Sequence, residues 1–465
     1  MSEVEIITLT GAPVVLHAAA VHDLQNRVQG EVLLPSDEGY EEARKVWNGM
    51  VDKRPALIVR CTGLADIIAA VTFAREHNLL VSVRGGGHNI AGKAVCSGGL
   101  MIDLSRMRRV QVDPGNRTAR VEGGATLGDL DRQTQAFGLA TTAGVVTHTG
   151  VVGLTLGGGV GRLARKYGLA CDNLLSVELV TADRQVLRAS AAENADLFWG
   201  VRGGGGNFGI VASCEFRLHP VGPVVLGGTV IYSPAQARAA LKFYDEFARP
   251  APDELSADAF LLTAPDGERV FAISVCYIGS VTQGEQILRP LRKFGPPLAD
   301  QISPLPYTEM QAAGDVFFPP GLHYYYKSHF MTEINDDAIG TLLTHFATVP
   351  SSRSVVAFQH YGGAVSRVGR AETAFSHREA QYNFIPAAVW TDPRDSARHL
   401  SWVRELWDRM RPFATGGVYV NNLGEEGEEQ IRAAYGASYE RLVALKNKYD
   451  PHNFFRLNAN IKPTV

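Results

Sequence analysis

The sequence predicts an α+β protein of two domains, the second built on an antiparallel sheet covered by helices. Three observations carry this. A chain of 465 residues is long for one hydrophobic core. Its 48 glycines are roughly half as many again as average usage and cluster at 85–99, 123–168 and 203–209. From about Val221 the pattern changes to long strands alternating with helices, and turn chemistry returns only after Pro412.

The first elements are ordered so as to deliver a loop. Residues 55–60 form an apolar strand, Thr62 stands where a helix N-cap belongs, and Ile67, Ile68, Val71 and Ala74 follow at helical spacing. Residues 79–83 read as a second strand. This βαβ unit ends in Arg84-Gly85-Gly86-Gly87-His88-Asn89. Open α/β sheets place ligands at such strand ends, and consecutive glycines let backbone N–H groups approach an anion closely. Residues 101–104 and 118–122 are further strands, and a helix over 126–137 stops at Gly138.

Residues 144–161 then carry more glycine than a packed helix or strand tolerates without cause, so they read as a second backbone cradle. A hairpin over 174–189 and a helical turn over 194–199 follow. Gly204, Gly206 and Gly209 formally satisfy G-x-G-x-x-G. What comes next, residues 210–216, reads as a strand and not as the helix whose N-terminus faces a pyrophosphate, so a Rossmann dinucleotide site is rejected.

Beyond Val221 strands are expected at Val224–Tyr232, 257–263, Arg269–Tyr277 and 354–361, with helices over 234–247 (capped by Ser233), 283–294, Asp336–Phe346 and 397–410. Gln359 and His360 are adjacent at the end of a strand, so one of the two faces the ligand side of the sheet. Tyr324, Tyr325 and Tyr326 stand in a row, and alternation turns at least one of them outward.

Net charge is −3 with 20% charged residues, which offers no electrostatic case for nucleic acid or an acidic membrane surface as partner. Five cysteines with no C-x-x-C pair argue against both a disulfide framework and a zinc site. No segment is long and apolar enough for a membrane span, and the N-terminus lacks a signal-peptide pattern, so a cytoplasmic protein is expected. No pattern specifies an oligomeric state.

Five motifs in order carry a resemblance: the 84–89 loop, the 144–161 cradle, 203–209, Tyr419-Val420-Asn421, and the closing Tyr449-Asp450-Pro451 to Asn458-Ala459-Asn460-Ile461. Together they resemble the berberine-bridge-enzyme-like branch of the vanillyl-alcohol oxidase superfamily, over nearly the whole chain. The resemblance implies a PCMH-type FAD-binding domain made from residues 1–220 and 415–465, with a substrate domain at 221–414 between them. It implies FAD bonded covalently through His88. Many members add a second bond from a cysteine that aligns here with Val146, which cannot form a thioether, so a single tether of the bacterial type is expected.

The same resemblance assigns further roles. Arg84, Gly85, Gly86, Gly87, Asn89, Val146, Thr149, Gly150, Gly153, Leu154, Gly158, Gly159, Gly161, Gly209, Ile210, Val211, Asn421 and Asn458 are expected around the cofactor. Tyr419 faces the flavin and is the candidate base, which calls for a lowered phenol pKa; apart from the resemblance, the strand-end position of Gln359 and His360 makes one of them the candidate to assist it. Thr149 is small for the oxygen gate that the family places near Val146, Thr149 and Leu154. The implied activity is oxidation of a small alcohol, phenolic or amine-type metabolite, with O2 reduced to H2O2. The alternatives are a dehydrogenase with another acceptor and a flavin- or drug-binding resistance protein.

Overall fold

The computed structural model describes residues 3–465 and has the α+β class that the sequence predicts. Its first large sheet contains β1 (Glu31–Leu33), β2 (Leu57–Arg60), β3 (Val81–Arg84) and β4 (Leu100–Asp103) in the order β1-β2-β4-β3. Strands β2, β4 and β3 are parallel and β1 is antiparallel. Helix α1 (Leu64–Glu76) joins β2 to β3, and β4 lies between them. Thr62 is not the cap of α1. Gly63 holds that place, and Thr62 is fixed through its N–H and Oγ1 to the Asp66 carboxylate.

An antiparallel sheet follows, built from β5 (Val110–Asp113), β6 (Thr118–Glu122), β7 (Leu174–Val180), β8 (Val186–Ser190) and β9 (Ile210–Arg217) in the order β8-β7-β9-β6-β5. Helix α2 (Leu127–Gln135) opens on a capping box between Thr126 and Asp129, and Gly138 just beyond it takes φ +65°. Inside the second glycine cluster the chain forms a six-residue helix, α3 (Val151–Leu156), where the sequence suggested only irregular backbone. Gly153, inside it, is exposed on the side that lines the cavity.

The third sheet has nine strands and antiparallel pairing throughout. Its main strands are β10 (Val224–Tyr232), β11 (Leu255–Thr263), β12 (Arg269–Tyr277), β13 (His323–Tyr326), β14 (Val355–His360) and β15 (Tyr382–Trp390), in the order β10-β12-β11-β14-β15-β13. Helices α4 (Ala237–Ala248), α5 (Val281–Lys293), α6 (Asp336–Phe346) and α7 (Ser396–Met410) bury one face through Leu241, Tyr244, Leu288, Leu342 and Leu406. The opposite face turns toward the glycine loops.

The C-terminal helix α8 (Tyr439–Tyr449) returns to the first half of the chain, where Leu442 and Leu445 pack with Leu197 and Phe208. Lys446 is fully buried and donates to Asp450 Oδ2 at 2.7 Å and to the carbonyls of Asn207 and Phe455. Asn207 in turn binds Gly204 O, Ala459 O and the Ile461 N–H. The 203–209 loop is thus a dock for the C-terminal tail, and strand β9 follows it as the sequence requires.

Candidate active site

The floor begins where β3 ends. Arg84 grips Asp103 at the end of β4 with two hydrogen bonds, Nε to Oδ1 at 2.9 Å and Nη2 to Oδ2 at 2.7 Å, and donates through Nη1 to Ala43 O and Lys45 O. Its guanidinium is spent on holding the loop. Beyond it Gly86 meets Gly150 backbone to backbone. A Cβ on Gly86 would stand 2.3 Å from Gly150 N, and one on Gly150 would stand 2.5 Å from Gly86 N. The two glycine clusters therefore close on each other, and no other residue type fits at either position.

His88 follows. Its ring stacks on Trp47 at 4.6 Å, and Trp47 stacks on Tyr324 at 3.9 Å. The Nε2 atom lies 2.6 Å from His148 Nδ1, so a proton is shared between two imidazoles. Burial, and then the His148 neighbour, push the His88 pKa down to about 3, and burial lowers that of His148. His88 is a neutral imidazole at physiological pH.

The roof is the uncovered face of the third sheet, and its register sets out the side chains in rows. Phe260 pairs with Ala357 and Ala357 with Ile385, while Val355 pairs with Ala387 and Ala387 with Tyr326. Those two rows are apolar apart from the Tyr326 phenol. One two-residue step along the strands lies a polar row of Asp258, Gln359 and Asn383, with Gln359 paired to Asn383. Asn383 Nδ2 donates to Gln359 Oε1 at 2.9 Å and to Asn422 Oδ1 at 3.0 Å. Between floor and roof lies a cavity of about 350 Å³.

Tyr419 closes one end. Its phenol oxygen accepts from Gly159 N–H and from Asn421 Nδ2, both at 2.8 Å, and Asn421 Nδ2 also donates to Leu154 O. The sequence reading called for a lowered phenol pKa. Burial overrides it: desolvation raises the Tyr419 pKa, and the two N–H donors offset only part of that rise.

Of the residues expected near the cofactor, Gly85, Gly86, Gly87, His88, Asn89, Val146, Thr149, Gly150, Gly153, Leu154 and Asn421 line the cavity, together with Tyr419 and Gln359. Others stand behind it. Gly159 reaches the site through its bond to Tyr419, while Gly158 and Gly161 pack against Phe375 and the Ala143 carbonyl. Gly209, Ile210 and Val211 lie in the sheet core, and Asn458 spends its amide on Gly206 O and Phe455 O. His360 is 1% exposed, with Nε2 at 3.0 Å from Arg165 and Nδ1 facing Ala257 N–H, so Gln359 is the one of the pair that faces the cavity. The sequence reading passed over His148, Trp47, Asp258, Phe260 and Asn422. Asp258 alone left a local signal, a carboxylate inside the apolar run 257–262.

These residues fit FAD. The N–H groups of Gly86, Gly87 and His88, on the cavity wall, meet no acceptor among the described residues, which leaves donors free for an anionic group. The cavity falls in the size range of small-molecule sites, roughly 300–1,000 Å³.

Comparison with known proteins agrees. A family described as FAD binding domain matches residues 55–190, and one described as berberine and berberine like matches residues 418–462. An FAD-linked oxidoreductase of Dictyostelium discoideum is 36% identical over 95% of this chain and 97% of its own. The (R)-6-hydroxynicotine oxidase of Paenarthrobacter nicotinovorans is 33% identical over 94% of this chain and 97% of its own. The crystal structure of 6-hydroxy-D-nicotine oxidase from Arthrobacter nicotinovorans superposes with a TM-score of 0.87 at 30% identity, covering 94% of this chain and 98% of that one.

Proposed function

This chain belongs to the berberine-bridge-enzyme-like FAD-linked oxidoreductases of the vanillyl-alcohol oxidase superfamily, and from that premise we propose that it oxidises a small alcohol, phenolic or amine-type metabolite and passes the electrons to O2, giving H2O2. The observation that carries the reading is the His88 imidazole on the cavity wall beside the unpartnered N–H groups of its own glycine loop. In this reading His88 is the sole covalent tether, because Val146 offers no thiol. Residues 1–220 and 415–465 hold the cofactor, and residues 221–414 supply the substrate side.

A bound flavin supplies the hydride-accepting and oxygen-reducing chemistry. The chain supplies the rest. The N–H groups of residues 86–88 would hold an anionic part of the cofactor, and His148 with Trp47 fixes the plane of His88. Tyr419, once deprotonated, is held as an acceptor by Gly159 N–H and Asn421 Nδ2, so it takes the substrate's O–H or N–H proton at its phenol oxygen. Gln359, oriented by Asn383, turns its amide toward the substrate. The apolar rows of the roof keep water out.

The test is to add alcohols, hydroxybenzyl compounds and cyclic amines to the protein without air while following the visible flavin absorbance, then to admit air and assay peroxide. A substrate bleaches the flavin, and peroxide appears with the return of colour. Bleaching that only a dye or quinone reverses reassigns the protein as a dehydrogenase, and no bleaching by any compound removes the substrate class.

A further inference from the structure

We propose that Asp258 is a specificity-determining residue that selects substrates carrying a protonated nitrogen on an apolar body; this narrows the oxidase reading above and rests on it.

Asp258 is the only Asp, Glu, Lys or Arg among the residues that line the cavity. It is 8% exposed, between Ala257 and Ala259 on β11. Its Oδ1 accepts the His360 backbone N–H at 2.8 Å, and no donor among the described residues reaches Oδ2. No cationic side chain among the described residues forms an ion pair with it. Burial raises its pKa and the His360 N–H offsets part of that rise; Arg162, itself buried with Nε unpartnered, acts on it only through space.

A carboxylate placed so is costly to leave charged and alone, and a cation on the ligand removes that cost. Its surroundings specify the rest of the ligand. Phe260 lies two residues along the same strand and on the same face, where a ring can meet a cation, and Ala357, Ile385, Val355 and Ala387 offer only apolar contact. A sugar would leave most of its hydroxyls without partners on this surface. An aryl or alicyclic amine places its charge on the polar row and its body on the apolar rows.

The experiment titrates the flavin-loaded protein without air with benzylammonium and with benzyl alcohol, its uncharged counterpart, and reads Kd from the shift in visible flavin absorbance. Wild type is expected to bind benzylammonium about 30-fold or more tighter than benzyl alcohol, the size of effect that follows from pairing one buried charge. Asp258→Asn is expected to lose that preference, and Asp258→Glu to keep part of it. Equal binding of the two probes by wild type, no shift with benzylammonium, or an Asp258→Asn protein with unchanged preference overturns the proposal and leaves Asp258 as a mere acceptor for the His360 N–H. Should Asp258→Asn fail to load flavin, the wild-type pair decides alone. Oxidation of benzyl alcohol with indifference to benzylammonium sinks this inference and spares the oxidase reading. Tight benzylammonium binding with no substrate ever bleaching the flavin does the reverse.

Discussion

His88 Nε2 and His148 Nδ1 stand 2.6 Å apart across 60 residues of sequence, joining the first glycine loop to the second. The bond orients the His88 ring while Trp47 covers it. His148→Ala is therefore expected to slow covalent flavin incorporation by about tenfold or more, as loss of a positioned proton-transfer partner does, while FAD still binds without the bond. In-gel flavin fluorescence after denaturation, followed over time from added FAD, measures it.

Burial raises the Tyr419 phenol pKa, so the deprotonated acceptor is scarce at neutral pH and grows as pH rises. The logarithm of kcat/KM is expected to climb with pH through neutrality without levelling off. Tyr419→Phe should lower kcat by roughly 10²–10⁴-fold and flatten that climb. A steady-state pH profile of both proteins checks this.

Gly86 and Gly150 are each other's steric limit. A methyl group on either would lie within 2.5 Å of the facing backbone nitrogen, so Gly86→Ala or Gly150→Ala must push the two loops apart. Either variant is expected to purify with little flavin and to regain little on incubation with FAD, by absorbance relative to protein.

Arg378 binds Asp172 with both terminal nitrogens, at 2.7 and 2.8 Å, and the two side chains are 2% and 7% exposed. Arg378→Leu strands a buried carboxylate and should cost about 3–5 kcal/mol. A lower midpoint in chemical denaturation, with Asp172→Asn/Arg378→Leu recovering part of the loss, would show it.

Much of the fold was legible where local chemistry decides it. Ser233, Asp266-Gly267 and Gly138 punctuate elements that form where the sequence places them, and the strand after Gly209 excludes a dinucleotide helix. Strand β15 was not legible: Pro386 interrupts its apolar run, and only its neighbours β13 and β14 show that the position belongs to a sheet.

The site divides in the same way. Glycines 85–87 stood out because a backbone approach admits nothing else, and His88 stood out with them. His148, Trp47 and Asp258 acquire their roles from partners far along the chain or across a sheet register. For Tyr419 the sequence placed the residue on the cavity, but the sign of its pKa shift depends on burial, which no local pattern encodes.

The central claim is that His88 carries the flavin. Acid precipitation of the wild-type protein, followed by digestion and mass analysis of the yellow peptide, tests it most directly. The account predicts that the colour stays in the pellet and that the flavin maps to the peptide containing Gly85-Gly86-Gly87-His88, with His88→Ala releasing free FAD. Colour lost to the acid supernatant of wild type, or flavin mapped to another residue, would contradict it.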